Sequence, residues 1–212
     1  MVQVARRKFG VDLVEISSAG QSPFQNLSAF RLKLKVKDNK TLPLEVVYQK
    51  AKIWSLDEQT PDLLSIRDEG PQGAAAAKRD ANERRRKYNN SPLQRFTLNI
   101  GGEVHHFDIT HQDAFYNWLY FIGLSQNPEL LKAVLDLSGG NHAFSDIFFT
   151  HASRQGNRFA SQARSVAMAL GLLNSGKRAE FERIFRPDKD LYTHIKENTF
   201  EQFKDLVYGS GT

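Results

Sequence analysis

The sequence predicts a mainly α-helical fold with a minor β component, in which a few short antiparallel strands accompany the helices. Beyond residue 110 the chain consists mostly of segments with helical character. Two earlier segments, residues 30–36 and 93–107, alternate apolar and polar positions as strands do. With 212 residues and 40% hydrophobic content, the chain suits one substantial core, so we expect a single domain over residues 1–212.

Strands are expected mainly in the first half of the chain. Residues 8–14 alternate in part, and from Phe30 to Val36 the apolar positions alternate with Arg and Lys, which predicts a strand with a basic outer face. Asp38-Asn39-Lys40 then supplies a turn. Residues 93–107 are typical of a hairpin around Gly101-Gly102.

Helices account for most of the rest. Pro43 suits a helix start, and residues 44–56 contain neither Gly nor another Pro. A second helix is expected near residues 72–87, which are rich in Ala, Arg and Lys. Further helices are expected near residues 112–124, 128–137, 161–174, 177–185 and 199–207.

Charge and cysteine content narrow the class of protein. The absence of Cys removes disulfides and thiol chemistry, and no apolar run reaches the length of a membrane span, so we expect a cytoplasmic protein without membrane contact. The net charge of +5 favours phosphate-bearing partners. Six Lys and Arg residues fall within residues 78–87. This segment forms either a solvated helix face or a polyanion-binding surface.

A polar edge of the first expected helix is the most informative feature. Glu45, Tyr48, Gln49 and Lys52 follow one another at i, i+3, i+4 and i+7, so on a helix they share one face. Apolar residues occupy much of the remaining surface. The edge either lines a pocket or is the solvent face of an ordinary amphipathic helix.

These residues resemble the signature of the NADAR (YbiA-like) domain family, approximately E-h-x-[FY]-Q-x-x-K. Glu45, Tyr48, Gln49 and Lys52 match it, with Val46 where the family often has His. Leu27-Ser28-Ala29-Phe30 is similar to the family's L-S-N-F segment, with Ala29 in place of Asn.

The downstream resemblance follows the family's order over roughly residues 21–173. It comprises Ala76 to Asp80, the helix with Phe115, Trp118 and Phe121, the element from Phe144 to Ile147, and Gly156-Asn157-Arg158. The resemblance implies a NADAR helical domain that hydrolyses N-glycosidic bonds in ADP-ribose metabolism.

The long form, with its inserted hairpin, is more similar to the branch that acts as antitoxin to DarT-type DNA ADP-ribosyltransferases. That branch implies removal of ADP-ribose from guanine bases in DNA. The implied partners are ADP-ribosylated DNA, ADP-ribose as product and a cognate DarT-type toxin. Alternatives are an N-glycosidase of phosphorylated riboflavin-pathway intermediates and a non-catalytic ADP-ribose or nucleic-acid binding module.

Cleavage of such a bond develops positive charge on the ribose, and a nearby carboxylate either stabilises this charge or activates water. Glu45 is the candidate for that carboxylate. Lys52 either pairs with a ligand phosphate or with Glu45, or attacks the anomeric carbon and forms a Schiff base. Asp146 is a candidate second carboxylate, or else it caps a helix or pairs with an Arg.

The remaining candidates would bind substrate. Tyr48 and Gln49 suit stacking and hydrogen bonding to sugar or base, and Arg79 suits a diphosphate, although simple solvation explains it equally well. The full set of candidate substrate-binding residues is Ser28, Phe30, Tyr48, Gln49, Arg79, Trp118, Asn157 and Gln162. The six His residues are scattered, and we expect neither a metal nor a cofactor.

Overall fold

In a computed structural model the chain is described over residues 12–16, 24–111, 113–137, 142–145 and 162–209. The protein is mainly α with minor β, as the sequence predicts. In the described ranges no helix is both long and apolar enough to traverse a membrane. The helices are α1 (Leu44–Ala51), α2 (Gly70–Lys87), α3 (Ala114–Ser125), α4 (Pro128–Leu135), α5 (Gln162–Leu173), α6 (Arg178–Ile184), α7 (Leu191–Lys196) and α8 (Thr199–Tyr208). The strands are β1 (Asp12–Glu15), β2 (Lys33–Lys37), β3 (Lys40–Pro43), β4 (Lys52–Ile53), β5 (Arg95–Ile100), β6 (Glu103–Phe107) and β7 (His142–Ser145).

Helix α3 runs through the middle of the core. All of its residues are buried, as expected for a helix that is largely apolar on every side. It contacts α1, β2, α4, α5 and α8. Phe115 stacks on Phe96 with ring centroids 4.3 Å apart, and Trp118 lies 5.4 Å from the Phe107 ring. These aromatic contacts hold β5 and β6 against the helix.

A glycine lets α3 approach β2 and the residue before it closely. A Cβ at Gly123 would lie 3.1 Å from Leu32 Cγ and 3.1 Å from Leu34 Cδ2. At the end of the helix, the Gln126 side chain accepts a hydrogen bond from Lys35 N at 2.7 Å. The helix and strand are therefore joined by both apolar packing and a backbone hydrogen bond.

The strands of the described residues form three small sheets. β2 and β3 make an antiparallel hairpin whose turn residues Asp38 and Asn39 have φ of 48° and 63°, which confirms the expected turn. β4, β5 and β6 form an antiparallel sheet in that order. Its hairpin turn uses Gly101 and Gly102 at φ of 64° and 86°, a conformation that favours glycine. β1 and β7 pair in parallel, which the expectation of antiparallel strands alone did not include.

Helix α1 is shorter than its sequence pattern predicts. The prediction of a helix over residues 44–56 was wrong at its end, because α1 stops at Ala51. The next residue, Lys52, is extended and pairs with Phe96 of β5. The Arg84 guanidinium donates to the Lys52 carbonyl oxygen at 3.0 Å. Contacts from other elements thus replace the backbone hydrogen bonds that a longer helix would have made.

The remaining helices begin and end within a few residues of their expected positions, with one addition. Helix α7, Leu191–Lys196, has no counterpart in the sequence prediction. It begins after Asp190, whose carboxylate accepts from Thr193 N at 2.8 Å as an N-cap. A six-residue helix is too short to show a helical period.

Candidate active site

Three side chains from the expected polar edge form a hydrogen-bonded row, two of them in α1 and the third, Lys52, directly after it. Lys52 Nζ donates to Gln49 Oε1 at 2.9 Å, and Gln49 Nε2 donates to Glu45 Oε1 at 2.8 Å. Glu45 and Gln49 are each only 6% exposed. Their spacing of four residues brings their side-chain ends together on the helix. We call Lys52, Gln49 and Glu45 the polar row.

The polar row has a defined direction. A carboxylate only accepts hydrogen bonds and an ammonium only donates them, so the Gln49 amide must turn its nitrogen to Glu45 and its oxygen to Lys52. Among the ion pairs of the described residues, none joins Lys52 directly to Glu45. Glu45 therefore positions Lys52 through Gln49, and not by the direct pairing that was one of the expectations.

The surroundings of Lys52 lower its pKa and so increase the fraction of the neutral amine. Burial lowers the pKa of Lys52 to about 8; Glu45 opposes this shift, while the positive charges of Lys78, Arg84 and Arg85 add to it. A lysine with this pKa has roughly a tenth of its population neutral at pH 7. A neutral amine is the form that acts as a nucleophile.

Tyr48 supplies an aromatic wall beside the polar row. Its ring lies 4.2 Å below the Lys52 ammonium and meets the Tyr116 ring edge-on with centroids 4.9 Å apart. Burial raises the pKa of the Tyr48 phenol far above its usual range, and the carboxylates of Glu45 and Asp113 add to the shift. The phenol therefore stays neutral and offers a ring face and a hydroxyl, not a proton that is lost near pH 7.

A cleft of about 440 Å³ opens beside the polar row. This volume is in the range of small-ligand sites. Tyr48, Gln49 and Lys52 belong to its wall. The rest of the lining consists of Trp54, Ala81, Asn82, Arg85, Pro92, Leu93, Phe96 and Ile109. Glu45 is not part of this lining and lies one hydrogen bond behind Gln49.

The cleft combines positive charge with aromatic surface. Lys52 and Arg85 bring cationic groups to it, while Tyr48, Trp54 and Phe96 bring rings. A guanidinium binds two phosphate oxygens at once, and rings stack on planar bases. The arrangement suits a ligand that carries both a phosphate group and a planar ring.

Arg84 of α2 fixes the backbone from which the polar row projects. Its guanidinium donates to the carbonyl oxygens of Lys52 at 3.0 Å and Gln49 at 2.8 Å, and to Glu58 Oε1 at 2.8 Å. The other carboxylate oxygen of Glu58 accepts from Trp54 N at 2.9 Å. One buried ion pair thus holds the end of α1 and the cleft residue Trp54 in place.

The Leu27 to Phe30 segment lies against the first turn of α1. Glu45 N donates to Ala29 O at 2.9 Å. The Ser28 side chain is fully buried, and its hydroxyl accepts from Phe30 N at 3.4 Å. Phe30 is half-buried beneath the Lys78 ammonium, 5.7 Å from the ring centroid. The segment is therefore next to the polar row, although Ser28 has no surface to offer a ligand.

Trp118 and Gln162 lie apart from the cleft lining. The indole of Trp118 is fully buried and donates to Thr199 Oγ1 at 3.0 Å. The Gln162 amide accepts from Ala29 N at 2.9 Å and donates to Ile16 O at 2.8 Å. We therefore assign Trp118 to the core and Gln162 to the joining of three chain segments.

Three candidates remain. Arg79 is exposed on α2 and does not line the cleft. Asp146 and Asn157 lie outside the described residues, so their roles stay predictions. Within the part of the chain that the structure describes, no three His, Asp or Glu side chains are grouped to hold a metal ion.

Sequence reasoning proposed Arg79 as the contribution of α2 to the site and missed Asn82 and Arg85 of the same helix. The buried alanines at positions 74, 77 and 81 mark the face of α2 that packs on α1. Asn82 and Arg85 border that face and line the cleft. The spacing of the alanines could have predicted this, because it identifies the buried face of the helix. Residues that flank a buried face lie at the edge of the contact with the neighbouring element.

Comparison with known proteins gives one family. A family model described as the DarT1-associated NADAR antitoxin matches residues 2–203. A search of curated proteins returns no match to the chain. The family match includes the polar row and the Leu27 to Phe30 segment as well as α2 and α3. Because it covers nearly the whole sequence, the chain belongs to the DarT1-associated NADAR antitoxin family.

Proposed function

We propose that this protein hydrolyses the N-glycosidic bond between ADP-ribose and the amino group of guanine in DNA, and thereby reverses the action of a cognate DarT-type toxin. Membership of the antitoxin family supports the association with such a toxin. The observation that carries the chemistry is the polar row, which presents Lys52 at the cleft wall with its pKa lowered to about 8.

The cleft residues suit the parts of this substrate. Arg85 is the group for the diphosphate, because its planar guanidinium binds two oxygens at once. The Tyr48 ring is the stacking surface for the ribose or the modified base. With the diphosphate at Arg85 and the ribose or base at Tyr48, Lys52 faces the anomeric carbon of the ribose that is bonded to guanine.

Lys52 acts as the nucleophile in this proposal. Its neutral amine forms a bond to the anomeric carbon, while the bond from that carbon to the guanine nitrogen breaks. The proton lost by Nζ is taken up by the departing guanine amino group, and the furanose ring opens to a Schiff base. Water adds to the imine carbon, and collapse of this adduct releases ADP-ribose and restores the amine. The sum is the hydrolysis of one bond by one water molecule.

Glu45 supports this step in two ways. Its negative charge stabilises the positive charge that develops on the sugar as the bond breaks. Its hydrogen bond from Gln49 keeps the amide oxygen turned towards Lys52. Asp146 stays a candidate for a second carboxylate in the site.

The test is product analysis on two substrates in parallel. The purified protein is incubated with a guanine-ADP-ribosylated oligonucleotide and with a phosphorylated riboflavin-pathway intermediate. We expect free ADP-ribose and unmodified guanine from the DNA only, and no release by the Lys52→Arg variant. Cleavage of the riboflavin intermediate alone would contradict the proposal, and cleavage of neither would indicate a non-catalytic binding module.

A further inference from the structure

Helix α2 carries a row of cations that extends beyond the cleft. Lys78, Arg79, Arg85 and Arg86 are all exposed. At about 100° per residue, Lys78 and Arg85 lie beside the buried alanine face, and Arg79 and Arg86 lie one step further towards solvent. Arg85 lines the cleft. We call these four residues the basic stripe, which begins at the cleft and continues over the outer surface of α2.

The basic stripe has two acidic neighbours in sequence, Asp80 and Glu83. Glu83 is exposed one helical turn from Arg79 and from Arg86 and offsets one of the four positive charges, so the stripe keeps a net charge of about +3. Asp80 accepts from Lys50 Nζ at 2.9 Å and lies 3.3 Å from Arg84 Nε, on the other flank of α2. Throughout the described ranges, no ion pair involves a member of the stripe. The stripe is therefore a patch of net positive charge that attracts a polyanion.

The position of Lys52 in the cleft determines which form of DNA contacts the basic stripe. Its ammonium lies in the cleft wall, so the guanine that carries the modification must bring its amino group into the cleft. Enzymes that act on a base in this way use single-stranded substrate or turn the nucleotide out of the stack. The strand on either side of the target then crosses the mouth of the cleft.

We propose that the basic stripe binds the phosphates of the single DNA strand that flanks the modified guanine. From residue 78 to residue 86 the helix rises about 12 Å, which matches about three phosphates at the spacing of a stacked strand. This inference rests on the proposed function, since it assigns the strand that carries the substrate. Arg85 serves the cleft, whereas Arg79 and Arg86 serve the strand outside it.

The test separates the strand from the modified nucleoside. The double variant Arg79→Gln/Arg86→Gln is compared with Arg178→Gln/Arg183→Gln, a control that removes the same charge from exposed residues of α6. Each is assayed on an ADP-ribosylated guanine nucleoside and on the same group within a single-stranded oligonucleotide and within a duplex. We expect the stripe variant to raise KM on the oligonucleotide roughly tenfold and to lower its salt dependence by about 1 to 1.5 in logarithmic slope. The nucleoside and the control variant keep their wild-type values.

Three results of the cleavage assay would decide against the proposed role of the stripe. An equal loss on the nucleoside would mean that Arg79 or Arg86 binds the ADP-ribose diphosphate. A larger effect on duplex than on single-stranded DNA would contradict the proposal that the stripe binds a single strand. No effect on either would show that the stripe does not bind DNA. Should the wild type cleave none of these substrates, the proposed function fails by itself. Fluorescence anisotropy with an unmodified single-stranded oligonucleotide then still tests whether the stripe variant binds more weakly than the control.

Discussion

At the scale of single residues, the Lys52 ammonium has neighbours that bind it without fully compensating its burial. It donates to the amide oxygen of Gln49 and lies over the Tyr48 ring. A carboxylate in direct contact would favour the charged form strongly, whereas an amide and a ring favour it less. With Gln49 between Lys52 and Glu45, burial dominates, and the pKa of Lys52 falls to about 8.

The pH dependence of turnover follows from this pKa. If neutral Lys52 is the attacking group, kcat on ADP-ribosylated guanine rises with pH and levels off above about 8, because the pKa of Lys52 is lowered to about 8. A pH-rate profile measures this directly. Lys52→Arg, which stays charged, serves as the comparison and is expected to be inactive throughout. A rate that falls through the same interval would show that the ammonium charge is needed instead.

Substitution of Glu45 tests the other end of the polar row. Glu45→Gln is expected to lower kcat by roughly 100-fold or more, because a neutral amide neither stabilises positive charge nor fixes the orientation of Gln49. The free energy of unfolding should change by no more than about 1 kcal/mol, since the shape is kept. Glu129→Gln, at an exposed position of α4 away from the cleft, is the matched control. Substantial turnover by Glu45→Gln would contradict the assigned role.

At the scale of elements, α1 and α2 are held together where the site is formed. Arg84 of α2 binds the last carbonyl oxygens of α1 and the buried carboxylate of Glu58. Helix ends leave such carbonyl groups without partners. A single guanidinium therefore ends α1 and directs Lys52 towards Gln49.

Removal of this guanidinium should be costly. Arg84→Gln is expected to lower the free energy of unfolding by about 2 to 4 kcal/mol, because the largely buried Glu58 loses its ion-pair partner and the carbonyl groups lose their donor. Urea denaturation measures the change. Lys87→Gln, at the exposed end of the same helix, should stay within about 0.5 kcal/mol of the wild type. A loss as small as that of the control would mean that Arg84 is not the organising contact.

The elements that the sequence predicts well are those with a clear period or a clear turn. Three predictions of this kind are confirmed. The alternation from Phe30 to Val36 contains β2, which begins at Lys33, the glycines at 101 and 102 form the turn between β5 and β6, and the alanine-rich segment is α2. The end of α1 could not be read in this way, because Lys52 and Ile53 join β5 through a strand contact that no local pattern encodes. The parallel pairing of β1 with β7 joins distant segments and was missed for the same reason.

At the scale of the whole molecule, α3 is the support on which the site rests. It packs against α1, and its residue Phe115 stacks on Phe96, which also lines the cleft. The Trp118 indole joins this helix to the start of α8, because its nitrogen donates a hydrogen bond to the Thr199 hydroxyl. The cleft is thus shaped by contacts that themselves lie outside it.

A core substitution separates support from chemistry. Trp118→Phe is expected to lower the free energy of unfolding by about 1 to 3 kcal/mol, because it leaves a void and removes one of the hydrogen bonds of the buried Thr199 hydroxyl, which keeps its bond to the His194 carbonyl oxygen. Denaturant unfolding gives this value, while KM per folded molecule should not change. A change in KM without a loss of stability would return Trp118 to the binding residues.

The candidate site was predictable to the extent that it lies on one helix. Glu45 and Gln49 share an edge of α1 that the spacing identifies, whereas Lys52 follows the helix in an extended conformation and joins them through its hydrogen bond to Gln49. Arg84 and Arg85 enter the site only through the packing of α2 on α1, which a run of basic residues does not reveal. The buried state of Trp118 likewise depends on α8, far away in sequence.

The most direct measurement of the central claim is borohydride trapping during turnover, followed by mass spectrometry of the protein. A Schiff base between Lys52 and the opened ribose would be reduced to a stable secondary amine. We predict an ADP-ribosyl adduct on Lys52 of the wild type incubated with guanine-ADP-ribosylated DNA, and none on the Lys52→Arg variant. Release of ADP-ribose at the normal rate with no adduct on Lys52 would contradict the covalent role, and DNA that keeps its modification would contradict the activity itself.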